Sequence, residues 1–260
     1  PILMIAASLF FISALGCTVP DSFIFLIIAR IIGGVGVGMA SVLSPLYISE
    51  FSPPKIRGKL IALYQLSIVI GILLAYLSNW LLLRFSKESI SLFYETDKLY
   101  KIFVLDVWRG MFGLEMIPSG LFILLLFFIP ESPRWLIKNN KPEKGLSILT
   151  KISGSELAEK EFKEIKNSIN QFKGKLSELL RPGLRLALLV GIGLSVFGQL
   201  TGVNIIIYYG PTILENAGFK IDGALQFQVA IGLINLIFTI LALWKIDSWG
   251  RRPLLIYGMF

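Results

Sequence analysis

The chain has no histidine and a single cysteine, Cys17. Those two absences together remove disulfide frameworks, Cys/His zinc sites, Ser-His-Asp triads and Cys-His nucleophiles. Charge is scarce as well. Only 16% of the 260 residues are Asp, Glu, Lys or Arg, where a soluble domain carries about 25%. With 55% hydrophobic residues and a mean hydropathy of +0.74, there is too little polar surface for a water-soluble globular protein. No signal-peptide pattern is present, because Pro1 opens directly onto an apolar run with no charged segment before it. The other end, from Leu254, also runs into an apolar stretch. The sequence reads as an internal piece of a longer membrane protein.

What the chain does have is long apolar runs. Segments 1–19, 22–48, 60–83, 110–130, 186–214 and 224–244 approach or exceed the roughly 20 residues a spanning helix needs, and a seventh begins at Leu254. Arg30 and Glu115 are the charges inside them. No ten-residue alternation suggests a barrel, so the runs are read as helices, which satisfy their own backbone in lipid.

Lys and Arg set the orientation. The connections at 49–59, 131–185 and 245–253 hold 18 of them, and those at 20–21, 84–109 and 215–223 hold 6. The richer side is placed in the cytoplasm. All five tryptophans, Trp80, Trp108, Trp135, Trp244 and Trp249, fall near segment ends, where amphipathic rings settle at the bilayer interface. The net charge of +8 is thus accounted for by topology, and no nucleic-acid partner is expected.

The 131–185 stretch is polar. Phe162, Ile165, Ile169, Phe172, Leu176 and Leu179 recur at spacings of three and four between Ser155 and Leu180, and Glu156/Lys160 and Glu159/Lys163 stand in favourable i,i+4 order. Pro142 fits the first position of a shorter helix before it. The expected organisation is residues 1–130 as the rear part of an N-terminal bundle, 131–185 as a cytoplasmic helical linker, and 186–260 as the front part of a C-terminal bundle.

Within the spans, polar residues are the informative ones. Arg30 lies deep enough to need a partner or a polar pathway, though a snorkelling side chain would serve the same sequence, and no carboxylate partner is evident. Glu115 reads equally well as hydrated at the interface. Gly33, Gly34, Gly36 and Gly38 follow Arg30, and their spacing inside a membrane-length run points to helix packing through Gly34/Gly38 and Gly36/Ala40 rather than to a nucleotide loop. The 186–214 span carries Ser195, Gln199, Thr201, Asn204, Tyr208 and Tyr209, with Gly198, Gly202, Gly210 and Pro211 weakening the helix. Interrupted helices of this kind build transporter substrate sites, and amides match sugar hydroxyls without adding charge. Gln65 and Asn235 are further amides in apolar runs; each could equally make an interhelical hydrogen bond. At the cytoplasmic ends stand Pro45-Leu46-Tyr47-Ile48-Ser49-Glu50 with Arg57-Gly58, then Pro130-Glu131-Ser132-Pro133-Arg134, then Asp247-Ser248-Trp249-Gly250-Arg251-Arg252. Three clusters of acid and arginine on one face suggest a latch, against the alternative of ordinary loop charge.

Taken in order, these motifs, together with Gln199-x-x-Gly202-x-Asn204 and Tyr208-Tyr209, resemble the sugar porters of the major facilitator superfamily over the whole chain. The xylose–proton symporter branch is the nearest, and the facilitative glucose transporters come next. The resemblance implies an all-α membrane protein that runs from about the third span of twelve to the start of the ninth. It implies that Gln65, Gln199, Asn204 and Asn235 hydrogen-bond sugar hydroxyls and that Tyr208 helps gate the outer side. It also implies that Glu50, Arg57, Glu131, Arg134, Asp247 and Arg251 form a cytoplasmic charge network stabilising the outward-facing state. Arg30 would face a proton-carrying acid on a first span outside this chain. The family usually has two adjacent glutamines in the seventh span; here Gly198 replaces the first, which removes one sugar contact.

The expected activity is therefore alternating-access transport of a monosaccharide, hexose or pentose, coupled to protons, by a monomeric multi-pass protein of the plasma (inner) membrane. The expected partners are the sugar and the lipid bilayer, with no cofactor, no metal and no enzymatic chemistry. The alternatives are a facilitative uniporter and a transport-silent sugar receptor signalling through 131–185.

Overall fold

The computed structural model describes residues 2–20, 22–53, 56–88, 100–171 and 183–259. They are organised in two compact units, Pro1–Glu131 with Leu225–Ile240, and Ser132–Ala224 with Leu241–Phe260. Five helical stretches are long and apolar enough to cross a membrane: Phe23–Phe51, Arg57–Glu88, Val107–Leu126, Leu184–Asn216 and Ile221–Ile246; Ile2–Thr18 is a shorter apolar helix. This is an integral, multi-pass membrane protein. Its described residues form helices and turns, as the apolar run lengths require.

The first unit begins with α1 (Ile2–Thr18) and α2 (Phe23–Phe51), which pack antiparallel along most of their lengths. Small residues set their distance. A Cβ on Gly16 would lie 2.9 Å from Ala29 Cβ, one on Gly33 would run into the Ser13 hydroxyl, and one on Gly36 would lie 3.2 Å from the Ala6 carbonyl. Lipid tails give no hydrophobic drive to helix association, so this close approach and its dispersion contacts hold the pair. The packing face is therefore Ala29, Gly33 and Gly36. Gly36 of the expected Gly36/Ala40 face takes part, while among the described residues nothing lies within 4 Å of a Cβ on Gly34 or Gly38. The reason is rotational. Gly33 and Gly34 differ by about 100° around the helix, and α1 sits on the Gly33 side.

α3 (Arg57–Glu88) has 32 residues and so rises about 48 Å, well beyond a hydrocarbon core of about 30 Å. Its far end is polar and carries an exposed Arg84–Glu88 pair at 2.9 Å. A π-helical turn, Lys101–Leu105, leads into α4 (Val107–Gly113) and α5 (Met116–Leu126). The span expected over 110–130 is present as Val107–Leu126. It tightens at Leu114–Glu115, where both residues keep right-handed helical angles and Ile117 N–H returns to the Leu114 carbonyl that Pro118, without an N–H, cannot reach.

The second unit opens with three short helices, α6 (Pro133–Lys138), α7 (Pro142–Ser153) and α8 (Ser155–Gln171). Ser132 caps α6, its Oγ accepting from the Trp135 N–H at 3.2 Å, with Pro133 next to it in the first turn. α7 begins at Pro142 as its position suggested. Leu136, Leu149 and Ala158 are buried between these helices, and Gly145 lets α7 close on α6, where a Cβ would lie 2.8 Å from Ile137. Phe172, Leu176 and Leu179 of the predicted stripe lie outside the described residues. Then come α9 (Leu184–Leu200), α10 (Val203–Asn216), α11 (Ile221–Trp249) and α12 (Arg251–Met259). The middle of α11, Leu225–Ile240, belongs to the first unit.

Candidate functional site

The amides of the 186–214 span meet at the break between α9 and α10. α9 stops at Leu200, and Gly202 takes φ +76°, a left-handed value that glycine adopts without a Cβ penalty. Of the four helix-weakening residues, the interruption uses Gly202; Gly198 stays inside α9, and Gly210 and Pro211 stay inside α10. Across the break the Asn204 amide donates to Gln199 Oε1 at 2.5 Å, and the Thr201 hydroxyl donates to the Gly198 carbonyl at 2.7 Å. Gln199, Asn204 and Tyr208 thus share one broken segment, and the Tyr208 ring is 74% exposed. Gly198 has nothing within 4 Å of an added Cβ, so crowding among the described residues does not explain the missing glutamine.

Gln65 on α3 and Asn235 on α11 both fall in the first unit. There α11 approaches α3 closely: a Cβ on Gly232 would lie 2.9 Å from the Tyr76 ring and 3.2 Å from Leu73. On the same helix, seven residues before Asn235, Gln228 is buried at 2% exposure. Sequence reasoning passed over it; its signal is an amide, with Gln226 two residues before it, one helical turn ahead of a glycine in an apolar run. A cavity of about 430 Å³ bordered by Trp249, Pro253 and Tyr257 includes none of these amides.

Arg30 stands over the Phe112 ring, its guanidinium carbon 5.1 Å from the centroid. Glu115, at the α4–α5 junction, acts electrostatically on Arg30. Arg30 therefore has a carboxylate within its field on this chain, at a point the sequence alone left without one. The two come together because α2 and the α4–α5 stretch both pack on α1.

At the other end of α2, the Tyr47 hydroxyl donates to the Pro130 carbonyl at 2.7 Å, and both Glu50 and Glu131 act on that hydroxyl. Three residues of the predicted charge clusters, Tyr47, Glu50 and Glu131, are thereby gathered at one end of the first unit. Arg57 reaches the Ser52 carbonyl at 3.4 Å. Arg134 is exposed on α6. The side chains of Asp247 and Arg251 fall outside those described. Lys245 beside them lies over two rings, 4.4 Å from Trp244 and 5.5 Å from Trp249.

Comparison with known proteins gives the family and the fold. The family profile described as "Sugar (and other) transporter" matches residues 1–260. The arabinose–proton symporter of Bacillus subtilis (strain 168) is 43% identical over 258 residues, which are 99% of this chain and 53% of that protein. The D-xylose–proton symporter of Escherichia coli (strain K12) is 40% identical over 274 residues, 98% of this chain and 53% of the relative. Among solved structures, the partially occluded, inward-open xylose transporter XylE from E. coli aligns with a TM-score of 0.78 at 38% identity, covering 97% of this chain and 56% of that one. The proton:xylose symporter XylE of the major facilitator superfamily bound to 6-bromo-6-deoxy-D-glucose aligns at 0.79, also at 38% identity, covering 97% and 54%. The chain spans about half the length of the curated relatives it matches. From the glycine-packed helix pair to the broken amide-bearing span, it belongs to the sugar transporter family and has the fold of part of a major facilitator superfamily transporter.

Proposed function

We propose that the full-length protein carries a monosaccharide across the plasma (inner) membrane by alternating access, coupled to protons. The observation that carries the reading is the Gln199–Asn204 amide pair at the α9–α10 break, in a family whose relatives include arabinose and xylose symporters. In this reading residues 1–130 belong to one bundle, 186–260 to the other, and 131–185 join them. Gln65, Gln199, Asn204 and Asn235 hydrogen-bond the hydroxyls of a pentose or hexose, and Tyr208 gates the outer side. Binding and rocking suffice, so no covalent chemistry is involved. Symport needs a group that changes charge at bilayer depth. In this reading Arg30 faces that group, an acid on a first span outside this chain. Glu50, Arg57, Glu131, Arg134, Asp247 and Arg251 hold the cytoplasmic ends together when the carrier faces outward.

The test is uptake of labelled xylose, arabinose and glucose into vesicles holding the full-length protein. Accumulation driven by an inward proton gradient and abolished by a protonophore is the expected result. Gradient-independent equilibration would make it a uniporter. Sugar binding without uptake would make it a receptor.

A further inference from the structure

Arg109 plays no part in the proposed sugar or charge sites, and the sequence presents it as one basic residue of an outer connection. The fold makes it more than that. Its side chain is 7% exposed, and its Nε donates to Asp106 Oδ2 at 3.0 Å. Its Nη1 donates to the Pro20 carbonyl at 2.5 Å and, at 3.4 Å, to the Thr18 carbonyl. The guanidinium also lies 4.6 Å from the Trp108 ring centroid. A planar fork held in several directions fixes orientation as well as position, which an ammonium cannot do.

What it fixes is α4. That helix has seven residues and opens the Val107–Leu126 span directly after a π-helical turn, so its direction at the membrane's edge depends on what holds it there. Its two glycines press it into its neighbours: a Cβ on Gly110 would lie 3.0 Å from Leu82, and one on Gly113 would lie 3.2 Å from the Thr18 hydroxyl. One turn beyond Trp108, Phe112 meets it edge-on at 6.3 Å and 81°, and Phe112 carries Arg30 at 5.1 Å. Glu115 follows at the α4–α5 junction. A continuous set of contacts therefore runs from Arg109 through Trp108 and Phe112 to Arg30.

We infer that Arg109 is a positioning residue: by pinning α4 to the α1–α2 turn it sets Phe112 against Arg30, and so governs turnover of the carrier rather than its grip on sugar. The functional half of this inference rests on the proposed transport activity; the structural half does not.

The experiment uses the full-length protein with Arg109→Gln, Arg109→Lys and Phe112→Leu. Three quantities are read: maximal uptake rate, equilibrium sugar affinity, and the rate at which N-ethylmaleimide labels Cys17, followed at that peptide by mass spectrometry. Cys17 is 1% exposed and adjoins Thr18, so it reports the pinned turn directly. Small misplacements of a working group cost turnover heavily, so Arg109→Gln and Phe112→Leu should each lower maximal uptake by about tenfold or more with affinity within about twofold. Arg109→Lys should recover part of the loss. Cys17 labelling should rise at least about fivefold in Arg109→Gln, as expected for local opening, and stay near wild type in Phe112→Leu. Wild-type uptake in either of those two variants overturns the inference, as does a parallel loss of affinity and uptake. If the wild-type protein moves no sugar, the transport reading fails by itself, and the Cys17 rates then decide: unchanged labelling in Arg109→Gln overturns the pinning.

Discussion

The α1–α2 pair and the α9–α10 segment are both apolar and both membrane-length, yet they are built for different ends. In α1 six residues are buried, Ala6, Ala7, Ser13, Ala14, Cys17 and Thr18, and most of them are small. In α9 none is buried, and the exposed set includes Gln199. Exposed Leu or Ile means little in a chain that faces lipid, since the bilayer is as apolar as the side chain. An exposed amide in such a helix has no solvent reason to be there. The first pair spends its few polar groups internally, as when Thr18 Oγ1 donates to the Ala14 carbonyl at 2.7 Å. The second gathers polar groups at a break, where Asn204 bonds Gln199 and Thr201 bonds the Gly198 carbonyl. One region is a packed frame among the described residues, and the other is where the proposed sugar contacts lie.

The sharpest break of that contrast is Gly33→Leu. Its side chain would be forced into Ser13, and overpacking of this kind costs about 1–3 kcal/mol. We expect a clearly lowered melting temperature in detergent and a loss of sugar binding that follows the loss of folded protein. Next is Gln199→Ala on the other side of the comparison. It should weaken equilibrium sugar binding about tenfold, the factor that corresponds to about 1.4 kcal/mol, with melting of the sugar-free protein unchanged. Unchanged affinity in calorimetry would remove Gln199 from the site. Tyr47→Phe deletes the hydrogen bond to Pro130 while keeping the ring that lies 4.4 Å from Phe51. A cost of about 1 kcal/mol in denaturant titration is expected, with sugar affinity intact. The smallest effect belongs to Gly34→Ala, where nothing lies within 4 Å of the new methyl. Stability there should stay within about 0.5 kcal/mol of wild type or rise slightly through better helix propensity; a loss as large as that of Gly33→Leu would show the packing face to be misassigned.

Much of this architecture was legible in the sequence because a bilayer imposes a length on its helices, and length is easily read. The spans at 22–48, 60–83 and 224–244 reappear in α2, α3 and α11 with ends extended by a few residues. The interruption of the 186–214 span was legible through Gly202, since a left-handed residue favours glycine. The tightened turn at Leu114–Glu115 was not, because one proline in an apolar run is equally compatible with a first turn or a kink. Of the packing glycines, Gly36 was named and Gly33 was not, for a geometric reason: four glycines within six residues mark a face only after the neighbouring helix has chosen its side. Arg109 was hidden for another reason. A basic residue next to a tryptophan at a span's edge looks like an interfacial anchor, and its carbonyl partners near Thr18 and Pro20 are some ninety positions away. The meeting of Arg30 with Phe112 is likewise tertiary, and no spacing within either span reveals it.

The bond between Asn204 and Gln199 has one more consequence if these amides receive the sugar. That one bond uses one Asn204 N–H and the Gln199 oxygen, and leaves the Gln199 NH2 and the Asn204 oxygen to meet a guest. An arriving hydroxyl that takes the shared positions must exchange partners, so part of the gain on loading is a difference between similar hydrogen bonds. Tight holding in the loaded state would only deepen a well from which the cargo must later climb, and it would slow delivery without helping it. A pair partly bonded to itself would keep that well shallower, and would ease release on one side of the membrane as well as capture on the other.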